Sequence, residues 1–173
     1  DGGTAFKCCP PIRSEANRDL LWAALADGTI DFVASDHSPA TAALKLAGDG
    51  DFGVAWGGIS GLQLAFTAVF TEARRRGHTL DEVLGWMSTA TAAFAGLDDR
   101  GSIRIGARAD LVAFAPDRPF TVDAATLRHK NPVTAYDGAA LTGVATATWV
   151  GGALAQRDGI LSDPVVGALV ARP

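Results

Sequence analysis

Thr29-Ile30-Asp31-Phe32-Val33-Ala34-Ser35 is a short, β-rich apolar run that stops abruptly at Asp36-His37-Ser38-Pro39. Runs of this kind suit a strand buried on both faces of a parallel sheet. Upstream, Ser14 is placed to cap a helix that runs to about Ala26, with Leu21, Ala24 and Leu25 on its apolar face and Gly28 ending it. Before that, Phe6 to Ile12 reads as an extended segment that stops at Pro10-Pro11. Downstream, residues 40–58 have little periodicity and read as a loop with one short helical turn. Leu62, Phe66, Val69, Phe70 and Ala73 then share one helical face, ended by Gly77. Thr79-Leu80-Asp81-Glu82 is a capping box, and Leu80, Val83, Leu84 and Met87 follow at helical spacing.

Strand, helix, strand, helices is the grammar of a βα barrel or an open α/β sheet. After Gly96 the pattern changes. Ile103 and Ile105 alternate with polar neighbours, Asp110 to Phe114 reads as a strand, and residues 121–138 form a long polar connection. Val144 to Val150 reads as another strand, turning at Gly151-Gly152 into Ala153 to Ala155. The expected division is therefore residues 1–100 and 101–173. The tail after Asp158 carries no clear pattern, and no internal repeat is present.

The chain has 173 residues, 48% hydrophobic and 20% charged, with a net charge of -4. That is a globular composition with no electrostatic footprint for nucleic acid or an anionic membrane. No apolar run is long enough to span a bilayer. The two cysteines, Cys8 and Cys9, are adjacent and lack a CxxC spacing, which suits reduced thiols in a cytoplasmic protein. The basic run Arg74-Arg75-Arg76 sits where cations complement a helix C-terminus.

Three places could carry chemistry. A carboxylate at the C-terminal end of a buried parallel strand is where α/β barrels hold catalytic groups, and Asp36 has that position. Such an Asp can bind a metal and relay a proton; it can equally cap a turn with Ser38 before Pro39. His37 fits a substrate contact or a hydrogen bond within the loop. His78 and His129 have no partner at metal-ligand spacing. Lys7-Cys8-Cys9-Pro10-Pro11-Ile12-Arg13 is a stiff loop whose thiols fit either a nucleophile or buried structural cysteines. Trp56-Gly57-Gly58-Ile59-Ser60-Gly61 places glycines before a helix, which permits close backbone approach to a ligand, although its spacing is not that of a P-loop.

Together the segments KCCPPIR (7–13), IDFVASDHSP (30–39), AWGGISGLQ (55–63), FTEARRRG (70–77), GSIRIGARADLVAF (101–114) and RHKNPVTAYDG (128–138) resemble the allantoinase family of cyclic amidohydrolases, in order and spacing. The resemblance implies an α/β fold: the C-terminal part of a (β/α)8 amidohydrolase barrel (residues 1–100), then part of a small β-sandwich domain and tail (101–173). It implies hydrolysis of the ring amide of allantoin to allantoate in purine breakdown. Two divalent metals, usually zinc, serve this reaction in the family, held by four histidines, a carboxylated lysine and one aspartate. Asp36 matches that aspartate, as metal ligand and as the group that moves the proton. Cys9 matches a residue whose backbone contacts the substrate ring, and Gly57 a position beside the substrate, where a missing side chain leaves room for the ureido arm. His37 and Ser38 belong to the same motif as substrate-binding candidates. The other metal ligands have no counterpart here, so the expectation is a fragment of a homo-oligomeric, tetrameric enzyme, inactive alone. The alternatives are a dihydropyrimidinase or hydantoinase-like hydrolase, and a non-catalytic remnant that binds a homologous subunit.

Overall fold

The computed structural model describes residues 2–11, 13–164 and 167–170. Ile12 and the last residues of the tail lie outside the described residues. The chain is mixed α/β and separates into two compact units, each made of two stretches of sequence. One comprises residues 1–66 and 121–140, the other 67–120 and 141–173.

The first unit carries α1 (Glu15–Ala26), α2 (Ala42–Lys45) and the start of α3 (Ala65–Arg75). Ser14 caps α1 by accepting a bond from the Asn17 amide at 3.2 Å, and Gly28 takes a positive φ just beyond the helix end. Only Leu25 of α1 is buried, and Leu21 stays exposed. The expected strand at 29–35 forms no ladder among the described residues. Its end touches the rest of the unit through a single parallel bridge, His37 to Ile59. A strand exists only by pairing, so an apolar run with strand propensity remains merely extended where no neighbour supplies the other half of each hydrogen bond. The same holds for Ile103 and Ile105, which are almost wholly exposed and lie in no strand. The Phe6 to Pro11 segment likewise lies in no strand and opens with a short 3₁₀ turn, Thr4–Phe6.

The second unit holds most of α3, then α4 (Leu80–Leu84) and α5 (Ala90–Phe94), and a sheet in the order β1-β2-β3-β4. The strands are β1 (Leu111–Thr121), β2 (Ala140–Val150), β3 (Ala153–Arg157) and β4 (Ile160–Leu161). The capping box forms as the sequence predicts: Thr79 Oγ1 accepts from the Glu82 amide, and the Glu82 carboxylate accepts from the Thr79 amide at 2.7 Å. The helix beyond it is interrupted by a π-turn over Gly85–Thr89, where a glycine lowers the cost of the wider backbone turn. Gly151-Gly152, both at positive φ, joins the antiparallel strands β2 and β3. Asp158-Gly159 makes a second such hairpin to β4, in a tail where the sequence showed no clear pattern. Phe70 of α3 meets Phe114 of β1 edge to face at 5.2 Å, and Thr71 exchanges hydrogen bonds with the Thr142 backbone of β2. No helix among the described residues is long and apolar enough to cross a membrane.

Candidate active site

A cleft of about 240 Å³ opens in the first unit, and Asp36, Cys9, Ser38 and Gly57 all line it. Four of the five residues singled out from sequence therefore converge, although they come from three separate segments. Asp36 follows the unpaired 31–35 run and has φ 42. A left-handed backbone is uncommon for any residue but glycine and is tolerated best by Asn and Asp. Ser38 Oγ donates to the Asp36 carbonyl at 3.1 Å and accepts from the Ile59 amide at 3.1 Å. Ser38 N also donates to Ile59 O at 3.0 Å. This small network fixes the turn carrying the carboxylate to the glycine loop opposite.

His37 is the exception, because it does not line the cleft. Its Nδ1 accepts from the Gly61 and Leu62 amides, both at 3.1 Å. Two N–H donors on one ring nitrogen require that nitrogen to be unprotonated, so the ring proton lies on Nε2. His37 thus satisfies backbone donors ahead of α3 and joins the Asp36 turn to the chain leading into that helix.

The glycine loop explains itself by contact. A Cβ on Gly57 would lie 2.5 Å from Cys9 Sγ and 3.3 Å from Cys9 Cβ. The space that the missing side chain leaves is therefore taken by the Cys9 thiol. On Gly58 a Cβ would strike the Ser38 carbonyl oxygen and lie 2.9 Å from Ser38 Oγ. Both glycines are needed because two chain segments press against them, and neither is at positive φ.

Two residues with parts in this architecture, Lys45 and Tyr136, were not singled out from sequence. Lys45, at the end of α2, is 3% exposed, and its Nζ donates to the carbonyls of Lys7, Trp56 and Gly58 at 2.6, 3.1 and 2.5 Å. Burial pushes its ammonium below the ordinary lysine value, and the neighbouring charge of Lys7 acts in the same direction. Lys7 Nζ donates to Ala55 O at 2.6 Å. A lone Lys in an aperiodic stretch carries no sequence signal for such a role. Tyr136 lines the cleft with its ring against Gly61, and burial raises its phenol pKa. Behind it the 121–138 connection is anchored by His129, whose Nε2 lies 2.8 Å from the Ala124 carbonyl. That contact needs the proton on Nε2, and Nδ1 pairs with Ser60 Oγ at 3.2 Å. Thr134 Oγ1 donates to Ser60 O.

A model described as "Amidohydrolase family" matches residues 20–155. The chain belongs to the amidohydrolase family. This amidohydrolase chain is 57% identical over 164 residues to an allantoinase of Streptomyces avermitilis, covering 95% of itself and 36% of that protein. It is 42% identical over 171 residues to an allantoinase of Arabidopsis thaliana, covering 98% of itself and 34% of the relative. Among solved structures it is similar to a D-hydantoinase (dihydropyrimidinase) from Thermus sp., with TM-score 0.83 and 30% identity, covering 92% of this chain and 35% of the other. The chain spans about a third of the length of the curated relatives it matches.

Within these residues the donor set does not fit a metal ion. No three His, Cys, Asp or Glu side chains among the described residues are grouped to hold one, and His37 Nδ1 is occupied by backbone amides. A lone carboxylate does not hold a divalent ion that takes four donors.

Proposed function

We propose that these residues form one part of the active site of a longer, metal-dependent allantoinase, which opens the ring amide of allantoin to give allantoate. The observation carrying this reading is the cleft itself. Asp36 sits on a strained turn and shares the cleft with the Cys9-Pro10 segment and the Gly57-Gly58 loop. Backbone strain held in place by surrounding contacts is a common mark of a functional position. The identity to allantoinases over nearly the whole chain supports the substrate.

In this reading Asp36 takes the proton from the attacking water and returns it to the ring nitrogen as the C–N bond breaks, which is general base and then general acid work. The Cys9 backbone faces the substrate ring. Ser38 holds the Asp36 turn against the glycine loop, and His37 holds its far side. Asp36 would also supply one carboxylate ligand to a site of two zinc ions, the remaining donors coming from other parts of the longer protein. The exposed Leu20 and Leu21 on α1 and Phe6 near the first turn fit surfaces that such parts would cover. The enzyme is expected to act in the cytoplasm.

A second reading is a hydantoinase or dihydropyrimidinase, favoured by the likeness to the Thermus sp. enzyme. Turnover of allantoin, hydantoin and dihydrouracil by the full-length protein separates the two. Preference for allantoin supports the first reading, preference for hydantoin or dihydrouracil the second. Loss of turnover in Asp36→Asn is expected under both, and full activity in that variant would overturn the assignment of Asp36.

A further inference from the structure

We infer that Lys45 is a positioning residue of the substrate cleft, a tethered cation that clamps the Cys8-Cys9 wall to the Gly57-Gly58 wall. The inference deepens the functional reading above and rests on it for its kinetic part only.

The argument begins with the cost of burial. Lysine is almost never fully buried unless its charge is compensated. Lys45 is buried, has no carboxylate partner among the described residues, and directs its three N–H groups at three carbonyl oxygens. Three acceptors around one nitrogen suit the ammonium: a neutral amine would turn a lone pair toward one of them. The acceptors come from two segments. Lys7 O precedes Cys8 and Cys9, and Trp56 O and Gly58 O flank Gly57. Cys8, Cys9, Gly57 and Gly58 all line the cleft, whereas Lys45 does not. One ammonium therefore sets the spacing of two walls from behind. Lys7 repeats the bond on a smaller scale by reaching across to Ala55 O. The contact of Cys9 Sγ with Gly57 is a consequence of that closeness.

A cation behind the wall acts on the substrate only through the backbone it holds. Removing it should loosen the fit of the ring without removing the proton-transfer group, so KM should move more than kcat. The thiols on the wall should also become easier to reach.

The test uses Lys45→Met and Lys7→Met in the full-length protein. Iodoacetamide labelling of Cys8 and Cys9, followed by peptide mass mapping, reads the wall directly and needs no activity. We expect labelling to accelerate about fivefold or more in Lys45→Met and less in Lys7→Met, as local opening free energies govern access. For allantoin, KM should rise about tenfold with kcat held within about threefold, the signature of lost uniform binding. A folded Lys45→Met variant with wild-type labelling and wild-type KM overturns the inference. So does a fall in active fraction at unchanged KM, which is what a purely structural lysine would produce. Should Lys45→Met fail to fold, Lys7→Met decides: wild-type labelling and KM in that variant overturn the inference. A wild-type protein with no turnover of allantoin, hydantoin or dihydrouracil instead overturns the functional reading, and the labelling rates still decide the role of Lys45.

Discussion

Gly57→Ala and Gly58→Ala probe the packing of the cleft with a magnitude that follows from its geometry. A methyl on Gly57 would sit 2.5 Å from Cys9 Sγ, where an unstrained contact between these atoms needs about 3.5 to 4.0 Å. Rotating the thiol to another rotamer relieves this clash. The second contact, 3.3 Å to Cys9 Cβ, does not depend on that rotor and requires a shift of a few tenths of an ångström. Overpacking of this size costs about 1 to 3 kcal/mol. Gly58 differs because its methyl would meet the Ser38 carbonyl oxygen, a backbone atom that cannot rotate away. Relief there means separating the glycine loop from the Asp36 turn and losing the Ser38 N to Ile59 O bond. Gly58→Ala should therefore cost about 3 kcal/mol or more and abolish activity. Denaturant unfolding of the full-length protein measures both losses. The decisive comparison is Gly57→Ala in a Cys9→Ala background, where the thiol is gone and most of the cost should disappear. An undiminished penalty in the double variant, or a Gly58→Ala protein as stable as Gly57→Ala, would refute the reasoning.

Other outcomes follow from single residues. Asp36→Asn should lower kcat by about 10² to 10⁴, the usual range for losing a positioned acid–base group, with the unfolding midpoint little changed. Asp36→Gly should be more stable than Asp36→Ala by about 1 kcal/mol, because only glycine is free of strain at φ 42; equal stabilities would show that the turn is not strained. Hydrogen bonds from Arg75, and less strongly from Arg76, hold the Glu72 carboxyl down to about 2 from an ordinary 4.5, against the effect of burial. Its contribution is therefore complete above about pH 4.5 and lost as pH falls toward about 2; screening by solvent limits it to about 1 kcal/mol. Acid titration of Glu72→Gln should show a flatter stability profile in that window than wild type. Thr79→Ala removes the capping box and should cost about 1 kcal/mol, read from the thermal midpoint.

Local elements were legible because their causes are local. The Ser14 cap, the Thr79-Glu82 box, the Gly77 helix end and the Gly151-Gly152 turn each rest on a few neighbouring residues, and each formed where its residues stand. The motif residues Asp36, Cys9, Ser38 and Gly57 could also be picked from the chain, since their types and order carry the resemblance to allantoinases. What the tertiary structure decided is how they meet. The apolar run at 29–35 has strand propensity but no ladder, because a strand is made by its neighbours. His37 fits either a substrate contact or a hydrogen bond within the loop from its place beside Asp36, and in the fold its ring meets the Gly61 and Leu62 amides. Gly57 reads as a small residue beside the substrate, and only the fold shows that a side chain there would meet Cys9 Sγ. Lys45 carries no sequence signal at all, because its role depends on three carbonyl oxygens that lie 38, 11 and 13 residues away along the chain. Sequence by itself determined which groups are available and which short elements carry them. Their spacing, their hydrogen-bond partners and the closeness of the cleft walls come from contacts between distant segments, whose energies no local pattern encodes.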